Sequence, residues 1–179
     1  MNDANILQFW ADIGPKAWWT KNLELDAQIK DRFGKLYDEA VSGELDHWAE
    51  TANGALALII LLDQFSRNLF RNSHLAFAQD KKALGLAKNA IRQGYDLDVV
   101  PDLRIFFYLP FEHSEKIGDQ MQSLRLMHSA GNMPENMKAV REHYEIIYRF
   151  GRFPHRNTVL GRHTTPAEEA YLSGGGFKG

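Results

Sequence analysis

Apolar residues in this 179-residue chain recur every three to four positions, and no stretch alternates in and out with period two. That spacing commits the chain to helices that bury one stripe each, because a strand would need the opposite periodicity. Ile6, Trp10 and Ile13 form a first stripe, which Gly14-Pro15 stops. Ile29, Phe33, Leu36, Ala40 and Val41 form a second, closed by Ser42-Gly43. Asn53 is the expected N-cap of a third helix running through Leu69. Its start is apolar all round, as expected of a central, buried helix.

The remaining chain continues the pattern. A fourth helix is expected from Ser73 to Gln93, ending at Gly94, with small residues Ala76, Ala83, Ala87 and Ala90 for close helix approach. A short helix over Leu103–Leu109 should end at Pro110. A sixth near His113–His128 should turn Ile117, Met121 and Leu124 inward, with His113 and Gln120 on the same side. Gly131–Pro134 breaks it, and a seventh covers about Glu135–Phe150. Thr165-Pro166-Ala167-Glu168 reads as a capping box with proline at the first helical position. The fold class expected is all-α: about seven to eight helices in antiparallel hairpins, one domain over 1–172 and a flexible glycine-rich tail over 173–179.

Composition narrows the setting. Hydrophobic residues are 44% and charged residues 25%, an ordinary globular balance. Cysteine is absent, which excludes disulfides and thiolate chemistry and fits a reducing compartment. A net charge of -2 suggests no nucleic-acid partner. Met1-Asn2-Asp3-Ala4 lacks the pattern of a signal peptide, and the longest apolar run, Ala55 to Leu62, is far short of the roughly 20 residues a membrane helix needs. A soluble, cytoplasmic protein without a membrane partner is expected.

Three segments carry polar groups where a plain helical protein would be apolar. In the first, Asp63 and Arg67 stand four apart on the stripe of Leu56 and Ile60, with Gln64 and Asn68 in a row beside them. This is either a salt bridge at a helix end or the wall of a site. The second contains Glu112, His113 and Glu115: a histidine flanked by carboxylates can be tuned near neutrality, or can be a satisfied core residue. The third is the basic run Arg149, Arg152, His155, Arg156, Asn157, Arg162 and His163, with no acid inside it. Gly151 and Pro154 would aim those side chains, and arginine forks suit carboxylate or phosphate. The alternative is that they satisfy carbonyls and pair with Asp63, Glu112 or Glu115. No phosphate loop, dinucleotide fingerprint or serine elbow is present, and histidines 113, 143, 155 and 163 lack zinc-ligand spacing, so neither cofactor nor metal is expected.

The phrases LDQFSRN, PFEHSE and FGRFPHRN followed by LGR, with ILQFW and AFAQDKKAL, resemble the signature of the bacterial domain-of-unknown-function family 924 over nearly the whole chain. Two positions depart from it: Ser66 stands where the family has proline, and Glu112 where it often has a hydrophobic residue, which makes Glu115 the stronger site candidate. The resemblance implies an all-helical, tetratricopeptide-like arrangement and no established activity. The motif positions it marks are Asp63, Gln64, Arg67, Asn68, His113, Glu115, Gly151, Arg152, Pro154, His155, Arg156, Asn157 and Arg162.

Two functional expectations follow. In one, a small anionic ligand is held by Arg67, Arg152, Arg156 and Arg162, and oriented by Gln64, Asn68 and Asn157. His113 or His155 would then act as acid or base, tuned by Asp63 or Glu115. In the other, the fold is a scaffold for a peptide or protein partner, suggested by Trp18, Trp19 and Trp48.

Overall fold

The computed structural model describes residues 2–131 and 134–178, and every regular element among them is helical. In chain order these are α1 (Asp3–Trp18), α2 (Leu23–Ser42), α3 (Ala52–Ile59), a π segment (Ile60–Phe65), α4 (Ser66–Leu69), α5 (Asp80–Gln93), α6 (Leu109–Glu112), α7 (Ile117–Ala130), α8 (Pro134–Phe150) and α9 (Pro166–Ser173). Short 3₁₀ turns join them, among them Asp46–Glu50, His74–Phe77, Pro101–Phe107 and Pro154–Arg156. Packing divides the chain into two compact units, residues 2–71 with 75–110 and residues 72–74 with 111–178.

The core of the first unit is the run from α3 into the π segment. Leu56, Leu58, Ile59, Ile60, Leu61, Leu62 and Phe65 are wholly buried, as the apolar-all-round sequence requires. Burying each such side chain contributes roughly 1.5–3 kcal/mol before chain entropy is counted. α1 and α5 pack on α3, and α2 packs on the π segment and α4. An aromatic cluster ties them: Phe9 lies 4.9 Å from Phe33, and Trp10 lies 5.3 Å from Phe65 and 5.6 Å from Phe106. Gly14, at φ 72°, interrupts α1 as expected, but Pro15 then opens one more turn to Trp18. Gly43 and Gly94 close α2 and α5 in the left-handed conformation.

Several boundaries differ from expectation. Thr51, not Asn53, caps α3, its hydroxyl accepting from the Gly54 amide. The expected fourth helix is a 3₁₀ turn followed by α5, whose inward face is Ala83, Ala87 and Ala90. Residues 101–107 wind as 3₁₀, and Pro110 lies inside α6 rather than ending a helix, where a first-turn proline loses no hydrogen bond.

In the second unit α7 packs on α8. Gly131, at φ 69°, ends α7, and the expected break continues into residues 132–133, outside the described residues. The inward face of α7 is not the expected one. Ile117 and Met121 are exposed, while Asp119, Gln120, Ser123 and Met127 are buried. The reason is Gln120, whose amide donates to the carbonyls of Phe111, Glu112 and Ser114. That cap on the preceding loop pulls the Gln120–Ser123–Met127 face inward and leaves His113 in the loop before the helix. The capping box that opens α9 forms as expected, with both reciprocal bonds.

Candidate functional site

In the first unit the polar row at the end of the central helix is bound up in local pairs. Asp63 is fully buried and accepts from the Gln64 amide. Arg67 stands 3.7 Å from Asp63 but 2.8 Å from Asp80, and it also donates to the Ala76 carbonyl and, at 3.2 Å, to Ser66. The π segment ends just before Arg67, and its wider turn loosens the i,i+4 pair that an α-helix would give. Asn68 donates to Asp26 at 2.8 Å, where Arg71 also binds. Burial pushes the Asp26 carboxyl up, but the bonds from Arg71 and Asn68 outweigh it and hold the group below the ordinary carboxylate range. Asp26 and Asp80 carried no signal in the sequence beyond being acids on helices.

The second unit brings the second and third polar segments together. Arg162 forks onto Glu115 at 2.7 and 3.0 Å, bonds the Phe153 carbonyl at 2.9 Å and donates to Asn157 at 3.0 Å. Glu115 in turn accepts from the Phe153 amide at 2.8 Å, so both faces of that peptide backbone are clamped. Arg152 forks onto Glu168 at 2.6 and 2.8 Å and donates to the His163 carbonyl at 2.7 Å. The Arg152 fork, with the Thr165 amide and hydroxyl, holds the Glu168 carboxyl down at about 2. Burial raises Glu115, yet Arg162 and the Phe153 amide keep it below its ordinary range. Glu168 was read in the sequence only as a helix cap; its reach to Arg152 depends on the turn between them.

What these pairs present is a ring-lined pair of histidines. His143 and His155 both lie against Phe153, at 5.4 and 5.5 Å, and against Phe177, at 4.6 and 5.1 Å. His143 donates from Nδ1 to the Ala139 carbonyl at 2.8 Å, with Glu112 at 3.1 Å on the same nitrogen, which leaves Nε2 as the unprotonated one. Burial pushes His143 down to about 4, and burial with the Arg156 charge pushes His155 down to about 3, so both rings are neutral at pH 7. His113 adds to the positive field at both. Arg156 is buried, its guanidinium 4.5 Å above the Phe153 ring.

Buried atoms of this unit without a hydrogen-bond partner among the described residues include His155 Nδ1, Gln120 Oε1 and Ser123 Oγ. His143 and Phe177 are the members that the site reading of the sequence left out. His143 had a signal, a polar residue on the buried stripe of Val140 and Ile147. Among the described residues no group of three or more His, Asp or Glu could hold a metal ion, and no helix is long and apolar enough to cross a membrane. Of the tryptophans expected to face a partner, Trp19 is exposed, whereas Trp18 and Trp48 are partly buried. Trp18 bonds the Trp10 carbonyl at 2.7 Å and lies 5.0 Å from Phe106.

Comparison with known proteins places this geometry in a family. The model of a bacterial protein family of unknown function, domain 924, matches residues 6–176. A solved structure of a protein of unknown function from Agrobacterium tumefaciens is 44% identical, covers 96% of this chain and 97% of its own, and superposes with a TM-score of 0.92. No curated protein matches. The chain belongs to this bacterial family of unknown function.

Proposed function

We propose that the unit formed by residues 72–74 and 111–178 binds a small anionic molecule, bearing a phosphate or a carboxylate, at His155 and Arg156. The observation that carries this reading is the His155 Nδ1, buried beside the Arg156 cation with no hydrogen-bond partner among the described residues. Leaving such a nitrogen unsatisfied costs about 1–3 kcal/mol, which a ligand oxygen meeting its N–H recovers. The forked pairs of Arg152 and Arg162 support the reading differently from direct binding. They fix the turn through Phe153 and Asn157, so the two ligand-facing residues are held before a ligand arrives. Glu115 acts in the same way, as the anchor of Arg162. In the first unit Asp63, Gln64, Arg67 and Asn68 serve local packing through Asp26 and Asp80.

Acid–base chemistry is open to such a site. An anion beside Arg156 cancels part of the field that keeps His155 deprotonated, so binding raises the affinity of His155 for a proton.

The test is a thermal-shift series with inorganic phosphate, acetate and citrate on the full chain, on Arg156→Met, and on Arg149→Met as a control for an exposed arginine of the same run. A saturating rise in melting temperature that survives in Arg149→Met and vanishes in Arg156→Met is the expected result. A flat response of the parent chain to all three anions would sink the reading.

A further inference from the structure

The segment after α9 is Gly174-Gly175-Gly176-Phe177, a composition that predicts a flexible tail, yet Gly175 and Gly176 are required by the path it takes. Gly175 sits at φ +88°, which L side chains rarely adopt. A Cβ on Gly176 would lie 2.5 Å from the Tyr171 ring, and one on Gly174 would lie 3.0 Å from the Ala170 carbonyl. The turn is pinned by the Gly176 amide on the Tyr171 carbonyl, at 3.0 Å, and by the Phe177 amide on the Tyr171 hydroxyl, at 2.9 Å. Its product is a phenyl ring set edge-on between the two imidazoles, at interplanar angles of 63° to His143 and 77° to His155. Phe177 itself is only partly buried, packed on the Ile146–Ile147–Phe153 cluster rather than inside it.

We propose that Phe177 is a built-in stopper in a ring-shaped slot of the His143–His155 site, displaced when the flat ring of an aromatic carboxylate takes its place. This rests on the anion-site reading above and adds the ligand's shape to it. The slot accepts one aromatic ring, because one already fills it. Its walls are two neutral imidazoles and the Phe153 ring, which favour an edge-to-face aromatic over an aliphatic chain. Arg156, whose guanidinium lies 4.5 Å over the Phe153 ring, sets a positive charge on that wall of the slot, which favours a carboxylate on the incoming ring. The stopper is removable because the Phe177 amide is held by a side chain, the Tyr171 hydroxyl, and its ring is only partly buried. A site filled by its own chain shows the ligand's intrinsic affinity reduced by the fraction of time the slot stands open.

The experiment measures benzoate and acetate affinity by calorimetry for the full chain, Phe177→Ala and Tyr171→Phe, and follows the His155 ring by NMR titration. Benzoate is expected to bind Phe177→Ala about tenfold or more tighter than the parent, with Tyr171→Phe between them and acetate unchanged throughout. The His155 pKa is expected to climb from about 3 toward the ordinary imidazole value of about 6.5 once the ring cover is gone. If acetate binds every variant equally and benzoate gains nothing from Phe177→Ala, the stopper is wrong and the anion site stands. If no anion binds any variant, the anion reading fails, and the aromatic ligand with it. An unmoved His155 titration in Phe177→Ala and in Tyr171→Phe overturns the stopper whatever the binding shows.

Discussion

Glu115 and Glu168 decide what the arginines between 149 and 162 can do. Each takes one guanidinium in a two-point fork, and each accepts a backbone amide as well. Charge-assisted bonds of this kind contribute about 1.5–3 kcal/mol each when one partner is removed. Glu115→Gln keeps the shape and removes the charge, so it should lower unfolding stability by about 2 kcal/mol in urea titration while the far-UV spectrum is unchanged. A loss below about 0.5 kcal/mol would mean that the Arg162 fork behaves as an exposed surface pair. The basic run was legible in the sequence, and so was the pairing of one of its arginines with Glu115. The pairing of Arg152 with Glu168 was not, because a sixteen-residue return through a turn leaves no periodic trace.

The helices themselves followed from spacing wherever one face is apolar and the other polar. α2 stops and α9 starts where their caps say, at Gly43 and at the Thr165 box. Legibility failed where a side chain competed with periodicity. Gln120 turned the face of α7 by capping the loop before it, and Asp80 took a nearer contact with Arg67 than its i,i+4 partner Asp63. At Gly174–Gly176 composition pointed to freedom, while the positive φ of Gly175 and the closeness of Gly176 to Tyr171 constrain the turn. Gly176→Ala therefore tests the element rather than the residue. Its Cβ has no room beside Tyr171, so Phe177 should leave the histidines and the His155 titration should rise as it does in Phe177→Ala. A substitution that leaves the ring contacts of Phe177 intact by NMR would show the turn to be unconstrained.

At the scale of the whole molecule, the two neutral histidines set the response to acid. Their folded-state pKa values, about 4 for His143 and about 3 for His155, lie below the unfolded value of about 6.5. Between those limits the unfolded chain binds protons that the folded chain refuses, so stability falls as pH drops from about 6.5 toward 4, at up to about 2.7 kcal/mol per pH unit for two sites. Glu168, at about 2 when folded, adds its own loss from about 4.5 downward, since its depressed pKa stabilises only while it is ionised. Urea midpoints should accordingly decline through the pH 6.5–4 window, and the double variant His143→Phe with His155→Phe should flatten that decline. A parent chain whose midpoint is constant from pH 7 to 5 would show that the folded rings take up protons as readily as the unfolded ones.

Anion binding at His155 and Arg156 has one consequence that neither a structural network nor a protein scaffold has: the bound charge raises the proton affinity of His155. Calorimetric titration of the full chain with inorganic phosphate at pH 6, in two buffers of different ionisation enthalpy, measures this directly. The account predicts saturable binding with net proton uptake by the protein, abolished in Arg156→Met. Binding heats that are absent, or that survive unchanged in Arg156→Met, would contradict it.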